Sequence, residues 1–278
     1  MKAVRLSLVV IVWTLASLAS AQEAGTLRVF YTGHSFHMFV PGRVAQMAKT
    51  AGVKEYQTAG SQGIGGSRVQ QHWDKAEETN LAKKILVNAG ADVFTMAPNV
   101  KMPDVGIDHF AELGLKHNPK MRFFVQESWV PGDFLDKRIT NNSQRDETDL
   151  KKLSADQTKW REQMETQARA INQKAGRAAV LIMPVGDAVV KLRELVAAGK
   201  APGIAKQSEL FTDTIGHGKA PIVILTSYCN YACITGRSPV GIKVNEPAIG
   251  EELNALLQRI AWETVTSYPL SGVKAAPK

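Results

Sequence analysis

Cysteine is almost absent from this 278-residue chain, which holds only Cys229 and Cys233. Two thiols cannot make a disulfide framework, nor by themselves a four-thiolate zinc site. They lie four apart on an expected helix beside Tyr228 and Tyr231, and read as buried core residues rather than a bridge. No H-E-x-x-H occurs, and His34, His37 and His72 have no evident carboxylate partner, so no metal is expected. A phosphate-binding G-x-x-x-x-G-K-[ST] is missing too, and no nucleotide or other cofactor is expected. The formal charge of +8 invites a nucleic-acid partner. The basic residues are nevertheless scattered and mixed with acids, as from Lys151 to Arg169, without aromatic interleaving, which argues against one. Internal repeats and low-complexity tracts are lacking, and Gly and Pro stand near ordinary usage, which excludes collagen-like chains.

What is there first is an address. Lys2 and Arg5 precede an apolar run from Leu6 to Leu18, and Ala19-Ser20-Ala21 supplies the small-x-small pattern of a signal-peptidase site. The run is shorter than the ~20 residues a span needs, and no later segment is long and apolar enough to cross a bilayer. A signal anchor is the rival reading. Cleavage after Ala21 leaves a chain from Gln22 without Lys2 and Arg5, so the charge of +8 falls to about +6. An exported, soluble protein with a single domain over residues 22–278 is expected; its oligomeric state is left open.

The body alternates short β-rich runs with helical stretches. Strands are expected at Leu27–Tyr31, Val53–Thr58, Ala91–Met96, Met121–Gln126 and Ala178–Met183. Helices are expected at Val40–Thr50, Val69–Asn88, Phe110–His117, Leu150–Lys174, Asp187–Ala198 and Ala220–Thr235. Leu150–Lys174 is charged and reads as a solvated outer element or part of a substrate lip, and the tail after Ser267 as fraying. Strands buried on both faces and separated by helices imply right-handed crossovers. The fold class is therefore α/β, a helix–sheet–helix domain with a mostly parallel, flavodoxin-like sheet of about five strands. In such sheets chemistry collects where the strands end at their carboxyl side.

Four clusters fall at such ends. After the first strand comes Thr32-Gly33-His34-Ser35-Phe36, where Ser35 is either an exposed nucleophile or a helix cap. Gly60-Ser61-Gln62-Gly63-Ile64-Gly65-Gly66-Ser67 follows the second; its glycines let backbone N–H groups approach a ligand, while Arg68 takes the place of the third glycine of a dinucleotide fingerprint. Ala97-Pro98-Asn99 follows the third, and Asn99 is a hydrogen-bond donor or a plain turn residue. Late in the chain, Asp213 and His217 can form the orienting half of a catalytic triad, or lie solvated on a loop. His34 and His72 could line a pocket near the glycine run, although His72 also suits a helix surface. Trp129 and Asp133 could contact a sugar or acyl group, with packing the alternative for Trp129.

Taken in order from Arg28 to about Gly241, these residues resemble the SGNH hydrolases, or GDSL-like lipases and esterases. The resemblance makes Ser35 the nucleophile, Gly66 and Asn99 its oxyanion partners with the Ser35 N–H, and Asp213 and His217 the remaining triad members. Three departures stand out: His34 replaces the Asp of Gly-Asp-Ser, Ala97 replaces the block-three glycine, and the last block is Asp-x-x-x-His. Gln126-Glu127-Ser128-Trp129 and the stretch from Tyr231 to Gly241 are similar to divergent secreted bacterial members. The resemblance implies a secreted serine esterase acting on a small ester or an acylated carbohydrate through an acyl-enzyme. The competing reading is a non-catalytic carbohydrate- or cell-wall-binding protein on the same scaffold.

Overall fold

The computed structural model describes residues 26–275; the expected signal peptide lies outside the described residues. Five strands, β1 (Leu27–Gly33), β2 (Tyr56–Gly63), β3 (Val93–Met96), β4 (Arg122–Glu127) and β5 (Val180–Pro184), form one parallel sheet in the order β2-β1-β3-β4-β5. Helices α1 (Val40–Thr50), α2 (Val69–Trp73), α3 (Leu81–Val87), α4 (Val105–His117), α5 (Leu150–Ala175), α6 (Val185–Ala197), α7 (Ala220–Thr235) and α8 (Glu251–Ser267) flank it. The expected three-layer α/β architecture and flavodoxin-like strand order are the ones observed.

The continuous apolar runs in the strands reflect burial on both faces. Val29, Tyr31, Phe124, Leu181 and Met183 enter one core with α1, α6, α7 and α8. Their neighbours Phe30, Phe123, Val125, Val180 and Ile182 enter the other with α2, α3, α4 and α5. The sheet reverses its direction of growth between β1 and β3, where ligands bind in such folds.

Several elements differ from expectation. β2 begins at Tyr56 and runs through Gly63, so half of the glycine run is strand rather than loop. It is an edge strand, largely accessible, and its ladder to β1 needs backbone alone. The expected helix Val69–Asn88 is broken in two. The Asn80 Nδ2 group donates to the carbonyls of His72, Trp73 and Lys75, while its Oδ1 accepts from the Lys83 N–H and caps α3. α4 starts earlier than Phe110, with the Asp104 carboxylate receiving the Gly106 N–H. α5 is no mere outer element: Leu153, Trp160, Met164, Ala168 and Ile171 form a buried stripe against the sheet.

The sequence reading missed α8, although Leu253, Leu256, Leu257, Ile260 and Ala261 have helical spacing. It covers α7, which explains why α7 is apolar almost all round and why Cys229 and Cys233 are free and buried. The tail does not fray directly after Ser267. A short turn at Pro269–Ser271 buries Ser271 and Val273 against the first core. Among the described residues no helix is long and apolar enough to cross a membrane.

Candidate active site

At the end of β1, Gly33 passes so close to β3 that a Cβ there would lie 2.7 Å from the Ala97 Cβ. The chain then turns through His34 to Phe39, with His37 and Met38 donating N–H to the His34 carbonyl. Ser35 stands exposed on this turn. It is not a helix cap, since α1 has no side-chain cap. Its Oγ lies 2.8 Å from the His217 Nε2. The His217 Nδ1 lies 2.6 Å from Asp213 Oδ2, which assigns the ring proton to Nδ1 and leaves Nε2 to accept from the serine. Ser35, His217 and Asp213 are therefore one connected relay.

Partial burial works against the Asp213 charge. The His217 ring N–H and the backbone N–H groups of Gly216 and His217 together outweigh it and hold the carboxyl below its usual range. The acid thus stays ionised, as the partner of a histidine base must. The extra residue in Asp213-x-x-x-His217 is absorbed where Gly216 takes φ +106°, a backbone conformation that side-chain-bearing residues rarely adopt.

The loop is held by the segment that reads as polar and turn-rich. The Arg145 Nη2 group donates to the carbonyls of Asp213 and Thr214, at 3.0 Å each. The Gly132 N–H takes the Ile215 carbonyl, and the Trp129 Nε1–H the Gly216 carbonyl. Every carbonyl from residue 213 to 216 is satisfied from residues 129 to 145. Phe36 stacks on Trp129 and meets the His217 ring edge-on, tying the Ser35 turn to the same cradle.

This corrects the expectation for Asp133. It is fully buried, paired with Arg145 and Arg193, and bonded to the Thr148 hydroxyl. Its carboxylate offsets the buried charge of Arg145 and faces no ligand. Burial lowers Arg145 to about 10 against the pull of Asp133, so it remains a cation at neutral pH.

Gly66 and Asn99 come together opposite Ser35. The Asn99 Nδ2 lies 3.4 Å from the Gly66 carbonyl, and its Oδ1 accepts the Lys101 N–H. The backbone N–H groups of Ser35 and Gly66 have no partner among the described residues, which suits donors awaiting an oxyanion. His34 links two of these turns: its Nδ1 accepts the Phe36 N–H while Nε2 donates to the Pro98 carbonyl. His72 is neither pocket lining nor helix surface. It is buried behind the Gly66 turn, 2.8 Å from the Ser67 hydroxyl and 3.3 Å from the Gln62 amide. His37, likewise buried, bonds Thr95 Oγ1 and Gln126 Oε1. Burial lowers both His37 and His72 to about 4, so they are neutral supports.

A cavity of about 290 Å³ opens at Ser35, with His34, Phe36, Gly66, Asn99, Trp129, Trp160 and Ile215 in its wall. Larger hollows elsewhere, such as that between Pro202 and Leu253, hold no nucleophile paired with a base. Trp129 both packs and lines the cavity.

With this geometry established, comparison with known proteins places the architecture. A crystal structure of a DUF4886 family protein from Bacteroides uniformis superposes with a TM-score of 0.60 at 13% identity, over 90% of this chain and 97% of that one. The likeness is one of fold. Two looser superpositions carry no argument: a provisionally named SGNH hydrolase from Slackia heliotrinireducens and a provisionally named GDSL-like lipase from Parabacteroides merdae. The first has a TM-score of 0.42 at 15% identity, over 74% of this chain and 98% of that one. The second has 0.47 at 11%, over 76% and 96%. No protein-family model matches the chain, and a search of curated proteins finds no match.

Of the site residues read from the sequence, Ser35, Gly66, Asn99, Asp213, His217, His34 and Trp129 converge, while His72 and Asp133 stand behind as supports. Arg145, Phe36, Trp160 and the His37–Gln126 pair were missed. The contacts that tie Arg145, Phe36 and the His37–Gln126 pair to the site are long-range, and no spacing along the chain encodes them.

Proposed function

We propose that this chain is an exported serine hydrolase of the SGNH type that cleaves short acyl esters, with acylated carbohydrate a fitting substrate. The observation that carries the reading is the unbroken line of hydrogen bonds from Ser35 through His217 to Asp213, opening on a cavity beside Gly66 and Asn99. Its small volume suits a short acyl group better than a lipid chain. The export part rests on the sequence of Leu6–Ala21 and its basic flank.

In this mechanism His217 Nε2 takes the Ser35 proton as Oγ bonds to the ester carbonyl carbon. The resulting imidazolium is held by Asp213. The oxyanion receives the N–H groups of Ser35 and Gly66 and the Asn99 amide. Collapse breaks the bond to the leaving oxygen, which takes the proton from His217. Water then attacks the acyl-enzyme, giving its proton to His217, and the acid leaves as Ser35 recovers its proton.

A fluorophosphonate probe together with p-nitrophenyl acetate turnover tests this. Wild type is expected to label and turn over, whereas Ser35→Ala does neither and His217→Ala turns over at background. Labelling that survives Ser35→Ala rejects that serine as nucleophile. Background rates in all three proteins would favour the binding-protein reading.

A further inference from the structure

We infer that the ester taken by this site bears a carboxylate or comparable anionic group, an inference that rests on the esterase reading above. The polar groups facing the cavity sort by sign. Two of its side-chain acceptors are already engaged, Asn99 Oδ1 with the Lys101 N–H and Ser128 Oγ with the Gln126 amide, while the Ser35 hydroxyl donates to His217. Apart from the Ser35 lone pairs, which face the ester carbon in the proposed reaction, the unengaged side-chain groups are donors. Lys101 and Arg138 are exposed at the cavity wall, and neither makes an ion pair among the described residues. Trp160, only 1% exposed and also in the wall, has an indole N–H with no partner.

Among the described residues no Asp or Glu lines the cavity to neutralise the two cations. The remaining wall is apolar, from Phe36, Trp129 and Ile215. Hydrogen-bond complementarity then asks for a ligand rich in acceptors, and charge complementarity for an anion. The Arg138 stem packs over Gly132, the residue that also holds the Ile215 carbonyl, so its base is anchored while its head remains free.

Two matched pairs of esters test this, one charged on the leaving group and one on the acyl group. They are 4-acetoxybenzoate against 4-acetoxybenzamide, and monomethyl glutarate against methyl valerate. In at least one pair the charged member is expected to have a kcat/KM about tenfold higher at low salt, since exposed charges a few ångströms apart give a few-fold each. The preference should fade as salt rises to about 0.5 M, where the Debye length is only a few ångströms. The double variant Lys101→Gln/Arg138→Gln should bring the charged-to-neutral ratio towards one. Trp160→Phe, which keeps the aromatic wall and removes the N–H, should lower turnover of the charged member more than of its neutral match.

Equal kcat/KM within both pairs overturns the inference, as does a preference that survives the double variant. Failure of wild type to hydrolyse any of the four esters faster than Ser35→Ala instead overturns the esterase reading, and the inference falls with it.

Discussion

One guanidinium nitrogen of Arg145 donates to the carbonyl oxygens of both Asp213 and Thr214, 3.0 Å from each. The acid of the relay is therefore gripped by its own backbone from behind, while its carboxylate faces His217. Asp213 and His217 have side chains 41% and 38% exposed, so surrounding core packing cannot fix them. Donors from another segment do so instead. Arg145 is in turn seated by Asp133, by Asn142 and by the Phe211 ring, 4.4 Å from its guanidinium carbon.

Arg145→Lys should keep the charge opposite Asp133 and lose the fork that reaches two carbonyls. We expect kcat to fall about 10–100-fold with KM little changed, because small misplacements of catalytic groups carry such costs. Arg145→Met should also destabilise the fold, by less than the about 3–5 kcal/mol of a fully stranded buried charge, because Arg193 still pairs with Asp133. Steady-state kinetics and urea unfolding of both variants check this. Wild-type kcat in a folded Arg145→Lys protein would show the grip to be dispensable.

The parts legible in the sequence are those that repeat or that lie at strand ends. β1, β3, β4 and β5 are buried on both faces and read as apolar runs, and Ser35, Gly66 and Asn99 were found because they follow β1, β2 and β3. β2 was misplaced because its accessible residues carry no period. Asp133 was misassigned for a different reason. A charged residue in a turn-rich stretch is ordinarily exposed, and only the fold brings Arg145 and Arg193 to it, across 12 and 60 residues of chain. The grip on residues 213–216 is likewise invisible, because a backbone carbonyl is the same whatever the residue.

Asp213→Asn tests the tautomer. The carboxylate accepts from the His217 Nδ1–H, whereas an amide can turn its NH₂ there and force the proton onto Nε2. A loss of about 10³–10⁴ in kcat is expected, by analogy with the same change in serine proteases. Asn99→Ala should cost about 10²–10³ in kcat as one oxyanion donor disappears. A drop confined to KM in either variant would remove that residue from the transition state.

Stability should depend on pH through His37 and His72. Burial puts both at about 4 in the fold, against an ordinary value of 6.5. The unfolded chain binds more protons between those values, so stability is complete above 6.5 and falls as pH drops towards 4. Each histidine contributes a slope of roughly 1.4 kcal/mol per pH unit inside that window. Urea midpoints measured from pH 7 to 4.5 should decline, and His37→Gln should remove about half of these two histidines' share of the slope. An unchanged slope in that variant would assign the acid sensitivity to other groups.

Gly33 and Ala97 meet between the Ser35 turn and the loop of Asn99, with 2.7 Å between an added Cβ and the Ala97 Cβ. Two methyl-sized groups cannot share that gap, so Gly33→Ala must push β1 and β3 apart at their catalytic ends. Overpacking of this kind costs about 1–3 kcal/mol. Gly33 also has φ +158°, a backbone angle that side-chain-bearing residues rarely adopt, so some strain persists even where the clash is relieved. Removing the opposing methyl should relieve this contact while the tight approach to His37 remains: Gly33→Ala/Ala97→Gly is expected to regain part of the lost stability and of the lost kcat. A double variant no better than the sum of its single changes would mean that the two strands do not compete for this space.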